Sequence, residues 1–221
     1  MRRVVVAGAV CAVAVLSLVP AAVAHDRSPF ARGNASAHLL ADWWEVGLRA
    51  PVSDNPFTGT ADGCVKLNRH VLGPVFAGSD PVLTMDCTVP RDTWILAVTF
   101  TTECSDAEEP PFFGATPRER RACAIAANEG ITENTVTIDG KLYDVDRFRY
   151  QTPDHKVRVP EDDLFGVDAD TLRFSADGWA PLIKPLSPGH HVVAIRVAGE
   201  FPGSGGPIDV TLPMQLEVTR R

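Results

Sequence analysis

Four cysteines in the middle of the chain limit what it can fold into more than any other feature. An even number of cysteines at wide, irregular spacing is typical of disulfides in an exported protein. A structural zinc site would need cysteine pairs two to four residues apart, whereas 22, 16 and 18 residues separate these cysteines. Three pairings exist, and we favour neighbours in sequence because each then closes a short loop: Cys64 with Cys87, and Cys104 with Cys123.

The N-terminus has the pattern of a secretory signal peptide over residues 1–24. Two arginines, Arg2 and Arg3, precede 16 residues, 4–19, that are apolar with one exception. A cleavage site of small residues, Ala22-Val23-Ala24, follows. The apolar run is shorter than the roughly 20 residues that span a membrane. We therefore expect cleavage before His25 and no membrane span in the mature chain. Residues 25–35 are mostly polar and small and are predicted to form a flexible N-terminus.

The charge of the chain restricts its partners. Over 221 residues the net charge is −7, and it becomes −9 without the leader, which carries two arginines and no acids. This acidic balance argues against nucleic-acid binding. The chain is 45% hydrophobic, which is typical of a folded protein. The partners that remain are an extracellular glycan or an extracellular protein.

Two segments are predicted to be helical. In Ser36–Leu48 apolar residues recur at helical spacing after a capping serine. The second helix is better marked, because Thr116 can cap it, Pro117 fits its first position and Gly130 lies just beyond its end. On this helix we expect the basic stretch 118–121 to face solvent. The apolar face is predicted to be Ala122, Ile125 and Ala126, with Cys123 tying the helix to the segment near Cys104.

The remaining segments alternate apolar and polar residues like strands with one buried face. The clearest is 208–218, and Asp139-Gly140 is the strongest hairpin signal. Several such strands between turns predict a mainly β fold, an antiparallel β-sandwich of immunoglobulin-like or jelly-roll-like type with two decorating α-helices. We expect a single disulfide-stapled domain over 36–219. The alternative is a division near residue 130.

The chain shows no familiar catalytic or cofactor motif. Gly-x-Ser-x-Gly, His-Glu-x-x-His and a glycine-rich phosphate loop are all absent. His190 and His191 follow a Pro-Gly turn and begin a strand, where neighbouring side chains point to opposite faces and cannot share one metal. The sequence therefore predicts no cofactor and no metal.

Two acidic clusters leave alternatives open. Glu161, Asp162, Asp163, Asp168 and Asp170 lie within ten residues, and Gly166 lies among them. Their spacing does not fit an EF-hand, so a solvated loop is favoured over a calcium loop. The second cluster, near Cys104, is Glu103, Asp106, Glu108 and Glu109. A pair of carboxylates could also hydrolyse a glycan or an ester if the fold set them a few ångströms apart. The candidates for such a pair are Asp106, Glu108, Asp162 and Asp163.

An exposed tryptophan would give a stacking platform for a sugar. Trp179 directly follows Asp177-Gly178, which is predicted to be a turn tip and therefore exposed. The candidate ligand-binding residues are accordingly Trp179, Asp177, Asp162 and Asp163.

A series of short motifs runs through most of the mature chain: Asn55-Pro56, Thr58-Gly59, Gly73-Pro74-Val75-Phe76-Ala77-Gly78, Cys87-Thr88-Val89-Pro90, Ala122-Cys123, Leu164-Phe165-Gly166, Asp177-Gly178-Trp179 and Pro185-Leu186-Ser187-Pro188-Gly189-His190. With Cys64, Cys104 and Asp139-Gly140, this order resembles a group of uncharacterised secreted bacterial proteins of actinobacterial type. The resemblance implies a signal peptide, disulfides among four mature-chain cysteines and one continuous domain. It carries over no catalytic residues.

Together these features favour a secreted, non-catalytic protein that binds an extracellular glycan or protein. The alternatives are a secreted carboxylate-dependent glycan or ester hydrolase and a structural component of the cell envelope.

Overall fold

A computed structural model describes residues 28–31, 33–76, 85–202 and 206–220. The predicted signal peptide, residues 1–24, lies outside the described residues. Part of the segment expected to be flexible, from residue 28 onward, is described. Phe30 is buried, and the backbone of residues 29–31 bonds to residues 182–184.

The fold is mainly β, with two α-helices, as the alternating pattern predicted. The helices are α1 (Ala35–Arg49) and α2 (Pro117–Ala127). The strands in the first half of the chain are β1 (Lys66–Asn68), β2 (Val71–Leu72), β3 (Met85–Pro90), β4 (Trp94–Leu96) and β5 (Phe100–Ser105). Those in the second half are β6 (Ile131–Ile138), β7 (Lys141–Asp144), β8 (Arg149–Gln151), β9 (His155–Arg158), β10 (Thr171–Trp179), β11 (Leu182–Ile183), β12 (Gly189–Gly199) and β13 (Ile208–Thr219).

These strands form three sheets. A five-stranded sheet has the order β3-β13-β12-β6-β7, and a four-stranded sheet has the order β1-β2-β4-β11. In the third, β10 lies between β5 and the short strands β8 and β9. Pairing is antiparallel except between β2 and β4 and between β3 and β13. Each sheet contains strands from both sides of residue 130, so a division there would cut all three.

The main core lies between the five-stranded and four-stranded sheets. Val193 and Ile195 of β12 and Met214 and Leu216 of β13 pack there against Ile95 of β4. This is the sandwich-like arrangement that the one-sided strands predicted. The other face of the four-stranded sheet packs against α1, mainly through Leu40 and Trp43.

Both predicted disulfides are present, and each links a strand to a segment outside its sheet. Cys64 is bonded to Cys87 of β3, and Cys104 of β5 is bonded to Cys123 of α2. The second bridge fixes α2 on the sheet formed by β5 and β10.

In antiparallel pairs residues directly opposite each other share a face. Glu103 of β5 lies opposite Ala176, so Glu103 faces away from its neighbour Cys104 and from α2.

The helix signals were partly right. Thr116 forms a full capping box with Glu119, and Pro117 begins α2 as predicted. Ser36, however, does not cap α1; it lies inside the helix and is buried, and Asn34 occupies the capping position.

The buried face of α2 differs from the predicted one. Ala122 and Ala126 are exposed, whereas Arg120, Ala124 and Ala127 are buried. The basic stretch is therefore not wholly solvated. Arg120 turns inward because buried and half-buried oxygen acceptors lie beneath the helix, an arrangement that hydrophobic periodicity cannot reveal.

Candidate functional site

The four predicted ligand-binding residues do not come together. Asp177 and Trp179 lie near the end of β10, and Asp162 and Asp163 lie in the loop between β9 and β10. Each pair adjoins a different cleft, and the two clefts have opposite electrostatic character.

The first cleft, called the basic cleft here, has a volume of about 500 Å³. It lies where strand β8 meets the N-terminal end of α1 and the outer side of α2. None of the residues that line it is acidic: Asn34, Ala37, His38, Arg121, Arg149, Tyr150, Gln151, Thr152 and Pro153. Arg149 forms ion pairs with Asp177 and, at 3.5 Å, with Glu129, but neither carboxylate lines the cleft. The uncompensated charge of Arg121 can therefore attract an anionic group.

Arg149 is held firmly at the base of this cleft. Its Nε donates to Oδ1 of Asp177 at 2.7 Å, and an Nη donates to the carbonyl of Ile125 at 3.1 Å. Its guanidinium carbon lies 4.8 Å from the ring centre of Trp179, in cation–π geometry. The side chain is thus preorganised, and a ligand that binds it meets little further cost of ordering.

Asp177 anchors Arg149 and does not reach solvent. It is 1% exposed, and its Oδ1 also accepts from Nδ2 of Asn128 at 3.0 Å. Burial raises the pKa of this carboxyl, although the hydrogen bonds from Asn128 and Arg149 oppose that rise. The role of Asp177 in the cleft is therefore indirect.

Trp179 is 5% exposed, so the predicted exposed platform is wrong. Asp177-Gly178 is not a turn tip, because β10 continues through it to Trp179. Gly178 lies against β5, where a Cβ would collide with the carbonyl of Phe100. The glycine permits this close approach between strands, which explains why a dipeptide typical of turns occurs within a strand.

The rim of the basic cleft carries two exposed basic side chains. Arg121 and His38 are exposed, and neither makes an ion pair or hydrogen bond with another described residue. Sequence reasoning assigned Arg121 to a solvated face and did not select Arg149 as a site residue. The sequence could not show that they line one cleft, because this depends on how α2 packs on the sheet that contains β8.

The second cleft, called the acidic cleft here, has a volume of about 410 Å³. It lies between the loop that joins β5 to α2 and the loop that joins β9 to β10. Asp163 shapes the latter loop, since its carboxylate accepts from the backbone N–H groups of Phe165 at 2.8 Å and Val167 at 3.0 Å. Asp162 is exposed, and its carbonyl accepts from the N–H of Val52 at 2.8 Å.

The carboxylates considered for hydrolysis have separate partners. Asp106 accepts from the N–H of Arg173 at 2.7 Å and lies 3.9 Å from Arg120. Glu108 lines the acidic cleft, while Asp163 is occupied by loop amides. Within the described ranges, no group of three or more His, Cys, Asp or Glu side chains is arranged to hold a metal ion.

A third arrangement has the residues of a catalytic triad but not the required hydrogen bonding. His191 Nδ1 lies 2.7 Å from Asp139, and its Nε2 lies 3.4 Å from Oγ of Ser187. Nε2 also lies 2.8 Å from the Ser187 carbonyl, which can only accept. When it is protonated, the imidazole donates from both ring nitrogens and has no lone pair with which to accept a proton from Ser187.

This contact makes His191 a pH-sensitive stabiliser. Burial favours its neutral form, but the hydrogen bonds to Asp139 and Ser187 outweigh that effect and raise its pKa. Its contribution to stability is thus complete below the unfolded-state pKa of about 6.5 and is lost as pH rises through the folded-state pKa.

We expect His191→Gln to lower the free energy of unfolding more at about pH 5.5 than at about pH 8.5. The difference should be about 1 kcal/mol or less, because solvent screens the half-exposed Asp139. Urea unfolding at both pH values measures it, and His38→Gln is the control. An equal loss at both pH values would contradict the assignment.

The fold and this site define a disulfide-stapled, mainly β protein with a preorganised basic cleft. No protein-family model, curated protein or solved structure matches this chain. In the described part of the chain, no helix combines the length and apolar character needed to cross a membrane.

Proposed function

We propose that this chain is an exported binding protein whose basic cleft holds an anionic group of an extracellular ligand. The carrying observation is the fixed guanidinium of Arg149 beside the unpartnered Arg121, in a cleft lined by no acidic residue. Arginine forks suit carboxylate and sulfate oxygens in particular, because they can donate two parallel hydrogen bonds.

Export is part of this proposal. The two disulfides support it, because such bonds form and persist in oxidising compartments. The N-terminal pattern of residues 1–24 supports it independently. The likeness to secreted actinobacterial-type proteins stays a prediction.

The proposed ligand is an acidic glycan, bearing either carboxylate or sulfate groups. The cleft volume of about 500 Å³ suits a small ligand or one end of a chain. Tyr150 lines the same cleft, where its ring can cover the apolar face of a sugar. The carboxylate-dependent hydrolase stays a prediction that the separate partners of Asp106 and Asp163 do not favour.

The test compares two arginines of the same helix. Arg121→Gln removes a charge from the cleft, whereas Arg118→Gln removes one from an exposed position outside it. We expect Arg121→Gln to weaken binding of a galacturonate trisaccharide or a sulfated disaccharide about tenfold, or about 1.4 kcal/mol. Arg118→Gln should weaken it less than about twofold, since an exposed charge outside the cleft acts only at long range.

Isothermal titration of the mature protein measures both affinities, with a neutral trisaccharide as the ligand control. Absence of saturable binding for both acidic probes would contradict the proposal. So would an equal loss in the two variants, because that would indicate only a general effect of net charge.

A further inference from the structure

The acidic cleft has the opposite chemistry to the basic cleft. Three carboxylates line it, Glu108, Glu109 and Asp168, and no basic residue does. Phe112 and Phe165 provide aromatic walls, and Phe165 is 36% exposed. Carboxylates beside aromatic faces are suited to an organic cation, which can gain both ion pairing and cation–π attraction.

A fourth carboxylate lies behind the lining. Glu103 of β5 is 3% exposed, and its side chain is within hydrogen-bonding reach of Glu108. Its Oε2 is buried without a hydrogen-bond partner among the described residues. A buried carboxyl oxygen without a donor is unusual, and either a proton held between the two glutamates or a donor from a ligand at Glu108 would account for it.

Glu108 is positioned by its own loop. Oγ of Ser105 donates to Oε2 of Glu108 at 3.0 Å and accepts from the N–H of Glu108 at 3.1 Å. The backbone of Ser105 bonds to Phe112 at 3.0 Å and to Gly114 at 2.8 Å, which closes the loop. The Glu108 carboxyl is therefore fixed between the buried Glu103 and the open cleft.

The two glutamates lie close enough to affect each other's ionisation. Two carboxyls can hydrogen bond to each other only if one is protonated. Burial, followed by the interaction with Glu108, raises the pKa of Glu103 well above its usual range. Burial also raises the pKa of Glu108, and the charge of Asp163 adds to that rise.

None of the residues that line this cleft is basic. Glu109 and Asp168 lie on the rim, and α1 brings Trp44 and Leu48 to this side of the sheet. Strand β10 contributes the apolar Phe174. On the same face of the sheet, β9 contributes His155, which lies opposite Phe174 and 3.5 Å from Glu45.

We propose that the acidic cleft is a second binding site, for a ligand carrying a primary ammonium or guanidinium group that bonds to Glu108 and lies against Phe165. In this proposal the two glutamates share one proton in the absence of ligand. When the cation binds, that O–H bond breaks and the proton passes to the buffer. Both glutamates are then ionised, and the ligand supplies the compensating charge. No other bond forms or breaks.

The first measurement uses the unmodified mature protein and two probes, 1,5-diaminopentane and the tripeptide Gly-Lys-Gly. Titration in phosphate and in Tris buffers, whose ionisation enthalpies differ, detects proton release on binding. We expect release with both probes, and affinity that rises about tenfold from about pH 5 to about pH 8. Tighter binding of the diamine identifies a free polyamine as the source, and tighter binding of the peptide identifies a lysine of a protein partner.

Two variants separate the roles of the glutamates. Glu108→Gln should weaken binding of both probes at least about tenfold. In Glu103→Gln the amide donates to Glu108 and keeps it ionised, so the rise of affinity with pH should fall below about twofold. Glu161→Gln, which removes an exposed charge near the cleft but outside its lining, should behave like the unmodified protein.

The proposal is overturned if neither amine binds saturably, or if Glu161→Gln weakens binding as much as Glu108→Gln does. It is also overturned if binding releases no proton in the unmodified protein. This measurement does not depend on whether any variant folds. Tighter binding of calcium chloride than of either amine would show that the cleft prefers a metal ion, and would overturn it too. Because the basic cleft is untouched, these outcomes leave the proposed function to its own test.

Discussion

Arg120→Met is expected to lower the free energy of unfolding by about 3–5 kcal/mol, since it breaks a buried ion pair by removing one partner. The side chain is 1% exposed. Its Nε and Nη2 contact Oδ1 of Asp154 at 2.8 and 2.7 Å, and Nη1 donates to the carbonyls of Gly114 and Ala115 at 2.9 and 3.1 Å. Methionine fills much of the space but leaves both carbonyls without this donor.

The matched control is Arg118→Met, two positions earlier on α2, where the side chain is exposed. This change should alter the free energy of unfolding by less than about 0.5 kcal/mol. Urea unfolding monitored by tryptophan fluorescence measures both. Asp154 keeps a second partner, because Nη1 of Arg173 lies 2.7 Å from its Oδ2. A loss below about 1 kcal/mol would mean that Arg173 alone compensates Asp154 and that the Arg120 contacts add little.

Removal of either disulfide is expected to cost about 3 kcal/mol, as the loop-entropy estimate gives for closed loops of about 20 residues. Cys64 and Cys87 are 23 positions apart, and Cys104 and Cys123 are 19 positions apart. Cys64→Ser and Cys87→Ser should therefore destabilise to a similar degree. The double variant should be no worse than either single one, because each single change already breaks the bond.

Denaturant unfolding without reductant measures these effects. The combination of Cys64→Ser with Cys104→Ser serves as the control, since it breaks two separate bridges and its two losses should add. A Cys64→Ser and Cys87→Ser double variant far less stable than either single variant would contradict the pairing.

The two clefts give the protein two surfaces of opposite charge preference. The basic cleft is built on Arg149, and the acidic cleft is built on Glu108. In each case a buried carboxyl lies behind the group that faces the ligand: Asp177 beneath Arg149, and Glu103 behind Glu108. Asp177 orients a cation, whereas Glu103 lies beside a second acid. The opposite charge of the two clefts comes from the residues that line them.

Local signals predicted the parts of the fold that local chemistry controls. Asp139-Gly140 forms the two-residue turn between β6 and β7, with positive φ at both positions, which asparagine, aspartate and glycine tolerate best. Thr116 begins α2 because its hydroxyl satisfies a free N–H of the first turn. The disulfide pairing followed from short loop closure, which is also largely a property of the chain.

The candidate site could be predicted only in part. Asp177 and Trp179 do adjoin a cleft, but both are buried beneath Arg149, and Asp163 organises a loop. Arg121 and Glu103 were not recognised as site residues. Their roles depend on partners that are distant in sequence, and neither residue stands in a motif that a single sequence reveals.

The sequence by itself thus determined the mainly β class, the ends of the better marked helix, the hairpin turn and the two disulfides, because each depends on neighbouring residues or on a regular period. The tertiary structure decided that Arg120 turns inward, that Gly178 lies within a strand and that the two clefts form. Those outcomes depend on which acceptors, backbones and charges the packing brings together, and the energy of a buried polar group is set by partners far along the chain.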